Sequence, residues 1–87
     1  MEYKVRITLI KLIVASGINL DKVIIEDNTK LFEDLGFNSI SIVNLIVLVE
    51  ETFSISFSDQ DNLIEIFDSI GSIVSYVIGY LNNEKYN

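Results

Sequence analysis

The sequence predicts an all-α protein, a small four-helix bundle with three main helices, one short helix and a long first loop. Three observations support this fold class. Apolar residues recur at helical spacing in three segments, polar or glycine residues separate those segments, and the chain contains no Pro. With 87 residues, 49% of them hydrophobic and none of them Cys, the chain can build one small core without disulfides. We therefore expect a single domain over residues 1–87, with its core in about residues 2–81 and a tail at 82–87.

The first helix is predicted over residues 2–16, and Gly17 is its expected stop. Four apolar residues fall on one helical face, at positions Tyr3, Ile7, Ile10 and Val14. Four more apolar residues lie beside that face, at positions Val5, Leu9, Leu12 and Ile13.

Residues 17–38 are predicted to be irregular, because Asp, Asn, Gly and Lys are interspersed with apolar residues. One interpretation is a short strand at residues 23–25. The preferred alternative is a long loop whose apolar side chains insert into the core. Those side chains are Val23, Ile24, Ile25, Leu31, Phe32 and Leu35.

The second helix is predicted to begin at Ser39, with Gly36 allowing the preceding turn and Asn38 as the N-cap. It extends to about Phe53, and residues 54–58 break its pattern.

Two further helices follow. The segment 58–61 resembles a capping box and is predicted to open a short helix through Leu63 and Ile64. The last helix is predicted to start after a cap at residues 68–69. Its apolar stripe consists of Ile70, Ile73, Val74, Val77 and Leu81.

Charge is distributed unevenly along the chain, which has a net charge of −7. Residues 1–30 hold five Lys or Arg against four Asp or Glu, whereas residues 31–84 contain no Lys or Arg at all. This distribution argues against a nucleic-acid partner, since phosphate binding needs a cationic surface. The acidic charge can serve solubility alone, or it can attract basic protein surfaces.

No membrane span is expected, because the longest uninterrupted apolar run, residues 45–49, is far shorter than the roughly 20 residues that a span needs. Lys11 interrupts the apolar stretch of the N-terminal segment, which argues against a signal peptide. We expect an uncleaved, monomeric cytoplasmic protein.

The residue types also argue against an enzyme. Without His or Cys, no Ser-His-Asp or Cys-His arrangement can form. The Asp59-x-Asp61 pair does not continue as a calcium loop, because Leu63, Ile64 and Ile70 occupy the later positions that the loop needs. No catalytic residue and no metal site is therefore predicted.

The second helix carries two faces on a helical projection. The predicted core face contains Ile42, Val43, Leu45, Ile46, Val49 and Phe53. The opposite face contains Ile40, Ser41, Asn44, Val47, Leu48 and Glu51. Because this opposite face is half apolar, two interpretations stay open. The helix can be buried on most sides, or it can present an apolar patch, rimmed by Asn44, Glu50 and Glu51, to a protein partner.

Ser39 stands in the first turn of this helix, where Asn38 already supplies the cap. A helix N-terminus offers free N–H groups and a partial positive charge. A phosphate attached to the Ser39 oxygen would be stabilised there.

Residues 34–40, Asp-Leu-Gly-Phe-Asn-Ser-Ile, resemble the attachment motif of acyl and peptidyl carrier proteins, commonly D-L-G-x-D-S-L. The similarity continues on both sides of this motif. Residues 29–36 are similar to the loop that precedes the motif in that family, residues 43–53 to its second helix and residues 69–77 to its last helix.

This resemblance covers essentially the whole chain and implies an acyl-carrier-type bundle. It implies that Ser39 receives 4′-phosphopantetheine from coenzyme A, through a phosphopantetheinyl transferase. The thiol of that arm would hold acyl, aminoacyl or peptidyl cargo as a thioester, so the protein would be a carrier and not a catalyst. Its other partners would be loading enzymes and downstream synthases or transferases with basic or apolar docking surfaces. The residues predicted to bind partners are Asn38, Ile40, Ser41, Asn44, Val47, Leu48, Glu50 and Glu51.

Three departures from the family pattern bear on the pathway. Asn38 replaces the usual Asp, Ile40 replaces the usual Leu, and Ser41 and Asn44 stand where fatty-acid-type carriers usually bear acids. The first departure removes a negative charge that transferases often use and so bears on which transferase acts, and the second is a mild change. The third favours a specialised polyketide or nonribosomal-peptide carrier over housekeeping fatty-acid synthesis. The alternative function is an unmodified acidic interaction module that docks through Ile40, Val47 and Leu48.

Overall fold

The computed structural model describes residues 2–18, 24–57 and 62–85, with side chains described as far as residue 82. Helix α1 spans Glu2–Ala15, α2 Ser39–Phe53, α3 Leu63–Ile66 and α4 Ile70–Lys85. Within these ranges the only β-type pairing is an isolated bridge between Lys30 and Ser69. Helix α1 packs against α4 and α2, and α3 packs against α4. The all-α bundle is therefore confirmed, with three main helices and one short helix.

The core is built by three of the four helices together with the connections between them. Its buried apolar side chains are Val5, Leu9, Ile13, Leu31, Leu35, Phe37, Leu45, Val49, Ile55, Phe67, Ile70, Ile73, Val74 and Val77. No helix in the described ranges is long and apolar enough to cross a membrane.

Of the two apolar groups predicted on helix α1, the one that packs against the core is the second, which contains Val5, Leu9 and Ile13. Val5, Leu9 and Ile13 are buried, whereas Tyr3 and Val14 are exposed. Both faces of this helix are apolar, and α2 and α4 pack on only one of them. The helix ends at Ala15, just before Gly17, whose φ of 90° lies in the left-handed region that glycine favours.

The first loop is irregular, in agreement with the preferred interpretation. The strand interpretation is wrong for residues 24 and 25, which form no strand. Leu31 and Leu35 insert into the core as expected. Ile24 does not, because its side chain is 82% exposed, and Phe32 is about half exposed. Val23 lies outside the described residues.

Main-chain hydrogen bonds hold the end of this loop against the start of α4. The Leu31 N–H donates to the Asp68 carbonyl at 3.1 Å, and the Ile70 N–H donates to the Thr29 carbonyl at 3.1 Å. The Lys30 ammonium also donates to the Asp68 carboxylate at 2.6 Å. That hydrogen bond raises the pKa of Lys30, so the ammonium stays charged at neutral pH and its contribution is lost as the pH rises through that pKa. The loop before α2 is thereby fixed to the bundle.

A second contact joins α1, the loop and α4. Arg6 donates to Asp27 at 2.9 Å and to Glu2 at 3.0 Å. The Gly71 N–H donates to the Asp27 carbonyl at 2.8 Å. A Cβ atom at Gly71 would lie 3.0 Å from that carbonyl oxygen, so this close approach favours glycine.

The last two helices differ from their predicted boundaries. Helix α3 begins at Leu63, and the Asn62 side chain caps it; the proposed capping box at 58–61 lies outside the described residues. Ser69 caps α4, because its Oγ accepts from the Ser72 N–H at 3.2 Å. Helix α4 continues to Lys85, four residues into the segment that was expected to be a tail. No Gly or Pro follows residue 79 to stop the helix earlier.

Candidate functional site

The start of α2 is closed by reciprocal hydrogen bonds. The Asn38 Oδ1 atom accepts from the Ile40 and Ser41 N–H groups, each at 2.9 Å. The Ser41 Oγ atom in turn accepts from the Asn38 N–H at 2.8 Å. Asn38 is therefore the N-cap, as predicted, and the sequence did not reveal that Ser41 completes the capping box.

Ser39 lies between these two capping residues and is exposed. Its hydroxyl forms no hydrogen bond with any of the described residues. The capping box leaves this hydroxyl free and holds it at the positive end of the helix dipole. The turn before it depends on Gly36, whose φ is 76°. A phosphate ester fits this position because it would meet solvent on one side and a helix N-terminus on the other.

Substitution of Asn38 by Ala should destabilise the protein by about 1 kcal/mol, since two N–H groups of α2 lose their acceptor. Asn38→Asp keeps an acceptor oxygen and should be as stable as the parent. Urea unfolding followed by circular dichroism measures both. Equal stability of Asn38→Ala and the parent would show that the cap contributes nothing.

The outer face of α2 presents a row of apolar side chains, which we call the α2 strip: Ile40, Val43 and Val47. Their exposed fractions are 74%, 55% and 44%. The interpretation of a helix buried on most sides is therefore wrong. The assignment of Val43 to the core is also wrong. On a helical projection Val43 lies only about 40° from Val47. The sequence therefore did contain a sign that Val43 belongs to the outer face.

A shallow groove of about 400 Å³ lies beside the α2 strip. It is lined by Ala15 and Ser16 from the end of α1 and by Asn44, Val47 and Leu48 from α2. Leu48 is partly buried, so it forms the wall of this groove rather than part of the open strip.

The two acids at the end of α2 have different surroundings. Glu50 is half-buried, and its carboxylate accepts from the Phe57 N–H at 2.9 Å. This bond stabilises the turn after α2, where Ser54 has a left-handed φ of 56°. Glu51 is exposed. Of the two predicted partner-binding acids, Glu51 is thus the more accessible.

On the other side of α2 lies a small apolar cavity that sequence reasoning missed. Its volume is about 100 Å³, and it is lined by Phe32, Ile42, Ile46, Leu63, Ile64 and Phe67. Ile42 is one turn from Ser39. Three separate segments form the cavity, so no local sequence pattern could reveal it.

The described residues contain no group of His, Cys, Asp or Glu that could hold a metal ion. The site therefore offers one free hydroxyl, an apolar strip, a groove and a cavity.

Comparison with known proteins agrees with this geometry. Residues 8–77, which include Ser39, match the family described as the phosphopantetheine attachment site. The acyl carrier protein of Campylobacter jejuni subsp. doylei is 33% identical over 78 residues, which cover 87% of this chain and 91% of that protein. The chain belongs to the acyl carrier protein family. The acyl carrier protein of Clostridium acetobutylicum is 34% identical over 68 residues, covering 78% of this chain and 86% of that protein. That of Thermotoga maritima is 31% identical, covering 78% and 82%.

As an acyl carrier protein, the chain is a carrier and not a catalyst, and its prosthetic group is 4′-phosphopantetheine. That group supplies the thiol that this Cys-free chain lacks, and cargo is held there as a thioester. The free Ser39 hydroxyl fits the phosphate end of the group. The resemblance of residues 34–40 to the carrier motif is thus confirmed at the level of the family.

Proposed function

We propose that Ser39 carries the 4′-phosphopantetheine arm and that the single domain shuttles acyl, aminoacyl or peptidyl cargo between cytoplasmic biosynthetic enzymes. The observation that supports this proposal is the free, exposed hydroxyl of Ser39 beside the capped N-terminus of α2. Asn38 and Ser41 hold the helix end, so attachment at Ser39 costs no native hydrogen bond.

Partner enzymes dock, in this proposal, on the surface around the α2 strip. They are the phosphopantetheinyl transferase, a loading enzyme and downstream synthases or transferases. The contact residues are Asn38, Ile40, Ser41, Asn44, Val47, Leu48, Glu50 and Glu51, to which the exposure of Val43 adds a ninth. The acidic surface attracts basic partners at long range, and the apolar strip decides which partner fits.

A specialised polyketide or nonribosomal-peptide pathway suits this surface better than housekeeping fatty-acid synthesis. Between Ser39 and Val49, helix α2 contains no acid, and its outward side chains are apolar or neutral. Docking through such a face relies on buried apolar area more than on ion pairs.

The proposal is tested by incubating the monomeric protein with coenzyme A, magnesium and a promiscuous phosphopantetheinyl transferase. Intact-mass spectrometry should show the gain of one phosphopantetheine, and fragmentation should place it on Ser39. An unmodified mass, with a standard carrier protein modified in the same tube, would refute it.

The alternative, an unmodified interaction module, is favoured by one observation, the exposure of Ile40 and Val47. Its binding surface would also include Leu48. It predicts that Ser39→Ala leaves activity in the host intact, whereas Val47→Glu abolishes partner binding. Loss of activity in Ser39→Ala would exclude this module.

The volume of the cavity beside α2 is expected to limit the length of the acyl chain that the protein can bind inside it. An enclosed apolar cavity of about 150 Å³ holds benzene, so this partly open pocket of about 100 Å³ has room for at most about four carbons. Butyryl-loaded protein should be more stable than acetyl-loaded protein by up to about 2 kcal/mol, from about 0.8 kcal/mol per buried methylene.

Octanoyl-loaded protein should gain nothing further, since the cavity is then full. Thermal unfolding of the three loaded forms measures this series. Val43→Ala, which lies on α2 but does not line the cavity, serves as the control and should show the same series. A steady rise in stability from acetyl to octanoyl would contradict the limit.

A further inference from the structure

Helix α1 leaves a second apolar surface, which we call the α1 stripe: the exposed Tyr3, Ile7 and Val14 with the partly buried Ile10 between them. The Tyr3 side chain is 73% exposed, Val14 is half exposed and Ile7 is about one-third exposed. From Tyr3 to Val14 the stripe runs about 17 Å along the helix, at 1.5 Å per residue. Contiguous apolar surface of this kind on a small protein commonly marks a binding site.

Two lysines border the α1 stripe on the same edge. Lys4 and Lys11 are separated by seven residues and therefore lie about 20° apart on a helical projection. Both are exposed, and neither forms an ion pair with any described residue. The only acid of α1, Glu2, is paired with Arg6 at 3.0 Å. In a chain of net charge −7, this face is apolar and locally basic.

We propose that the α1 stripe binds an anionic lipid surface, with α1 lying in the plane of the headgroups. A row of apolar side chains bordered by lysines is typical of helices that bind at such an interface. Tyr3, at one end of the row, has the amphipathic ring that favours the headgroup level. Lys4 and Lys11 would contact lipid phosphates, each strengthening binding roughly fivefold.

The shape and charge of the stripe favour lipid over a second copy of the chain. A stable protein interface needs about 800 Å² from each partner, and one convex row of four side chains offers much less. An antiparallel pairing of two α1 stripes would also place Lys4 and Lys11 of one copy beside the lysines of the other.

Because the overall charge is −7, vesicle binding should depend on salt concentration in a distinctive way. At physiological ionic strength the Debye length is about 8 Å, so lipid phosphates respond mainly to the lysines in contact with them. At about 0.01 M salt the Debye length is about 30 Å, and the acids of the whole protein then repel the bilayer. Binding should therefore be strongest near 0.1 M salt and weaker both at 0.01 M and at 1 M.

The test is flotation of the full chain with vesicles of phosphatidylcholine containing phosphatidylglycerol, compared with phosphatidylcholine alone. We expect retention on the anionic vesicles only. Tyr3→Ser and the double variant Lys4→Gln/Lys11→Gln should each lower the partition coefficient at least fivefold. Ile24→Ser is the matched control, since Ile24 is 82% exposed but lies outside α1, and it should bind like the parent. Circular dichroism establishes that each variant is folded.

The proposal does not depend on the carrier function, so Ser39→Ala should bind vesicles like the parent. Absence of retention on both vesicle types, or equal losses in Ile24→Ser and Tyr3→Ser, would overturn it. Self-association of the chain without lipid, abolished by Tyr3→Ser, would assign the stripe to a second copy and overturn it as well.

Discussion

Ser39→Ala is expected to abolish the mass gain completely in the presence of coenzyme A and a promiscuous transferase. The substitution removes the one free hydroxyl at the N-terminus of α2 and leaves the capping bonds of Asn38 and Ser41 in place. Its folding should therefore be unchanged, because an exposed side chain without hydrogen bonds contributes little to stability.

Ser56→Ala is the matched control, since Ser56 is also exposed but lies after α2. It should be modified at the parental rate, as judged by a time course of intact mass. A mass gain that persists in Ser39→Ala would place the attachment elsewhere and refute the proposed function.

Leu45→Ala should produce the largest loss of stability among substitutions in α2, about 3 kcal/mol. Leu45 is fully buried at the centre of the core, so the truncation leaves a cavity that the neighbouring helices can only partly fill. For a domain of this size the expected fall in melting temperature is more than about 10 °C.

Val43→Ala should cost no more than about 0.5 kcal/mol, because more than half of the Val43 side chain is already in solvent. Thermal and urea unfolding of the two variants compare them directly. The projection of α2 had placed both residues on the core face, so similar losses in the two variants would favour that assignment over the structure.

Helix α2 was predictable because strong local signals agree at its ends. Gly36 and Asn38 mark its start, and the sequence breaks its apolar pattern after Phe53, where the structure ends the helix. The position of Ser39 followed from these signals together with the carrier motif. The partnership of Ser41 with Asn38 did not, because Ser41 shows no pattern that separates a capping side chain from an ordinary exposed serine.

Helix α1 shows the opposite case. Its two faces are both apolar, so periodicity identified the helix but could not choose between Leu9 and Ile7 as the core residue. That choice depends on where α2 and α4 pack, and this is a property of the whole chain. The cavity beside α2 was unpredictable for the same reason, since Phe32, Ile46 and Leu63 come from three separate segments.

The anchoring of the first loop has a consequence for the order of events during synthesis. The loop that leads to Ser39 is held by Asp68 and Ile70, and Lys30 is 38 residues from its partner Asp68. A nascent chain cannot form these contacts until the start of α4 has left the ribosome. Such distant contacts also form slowly, because a long loop must close first. The loop that leads to Ser39 thus reaches its folded structure late. A transferase that recognises this structure would act on the folded protein rather than on the growing chain.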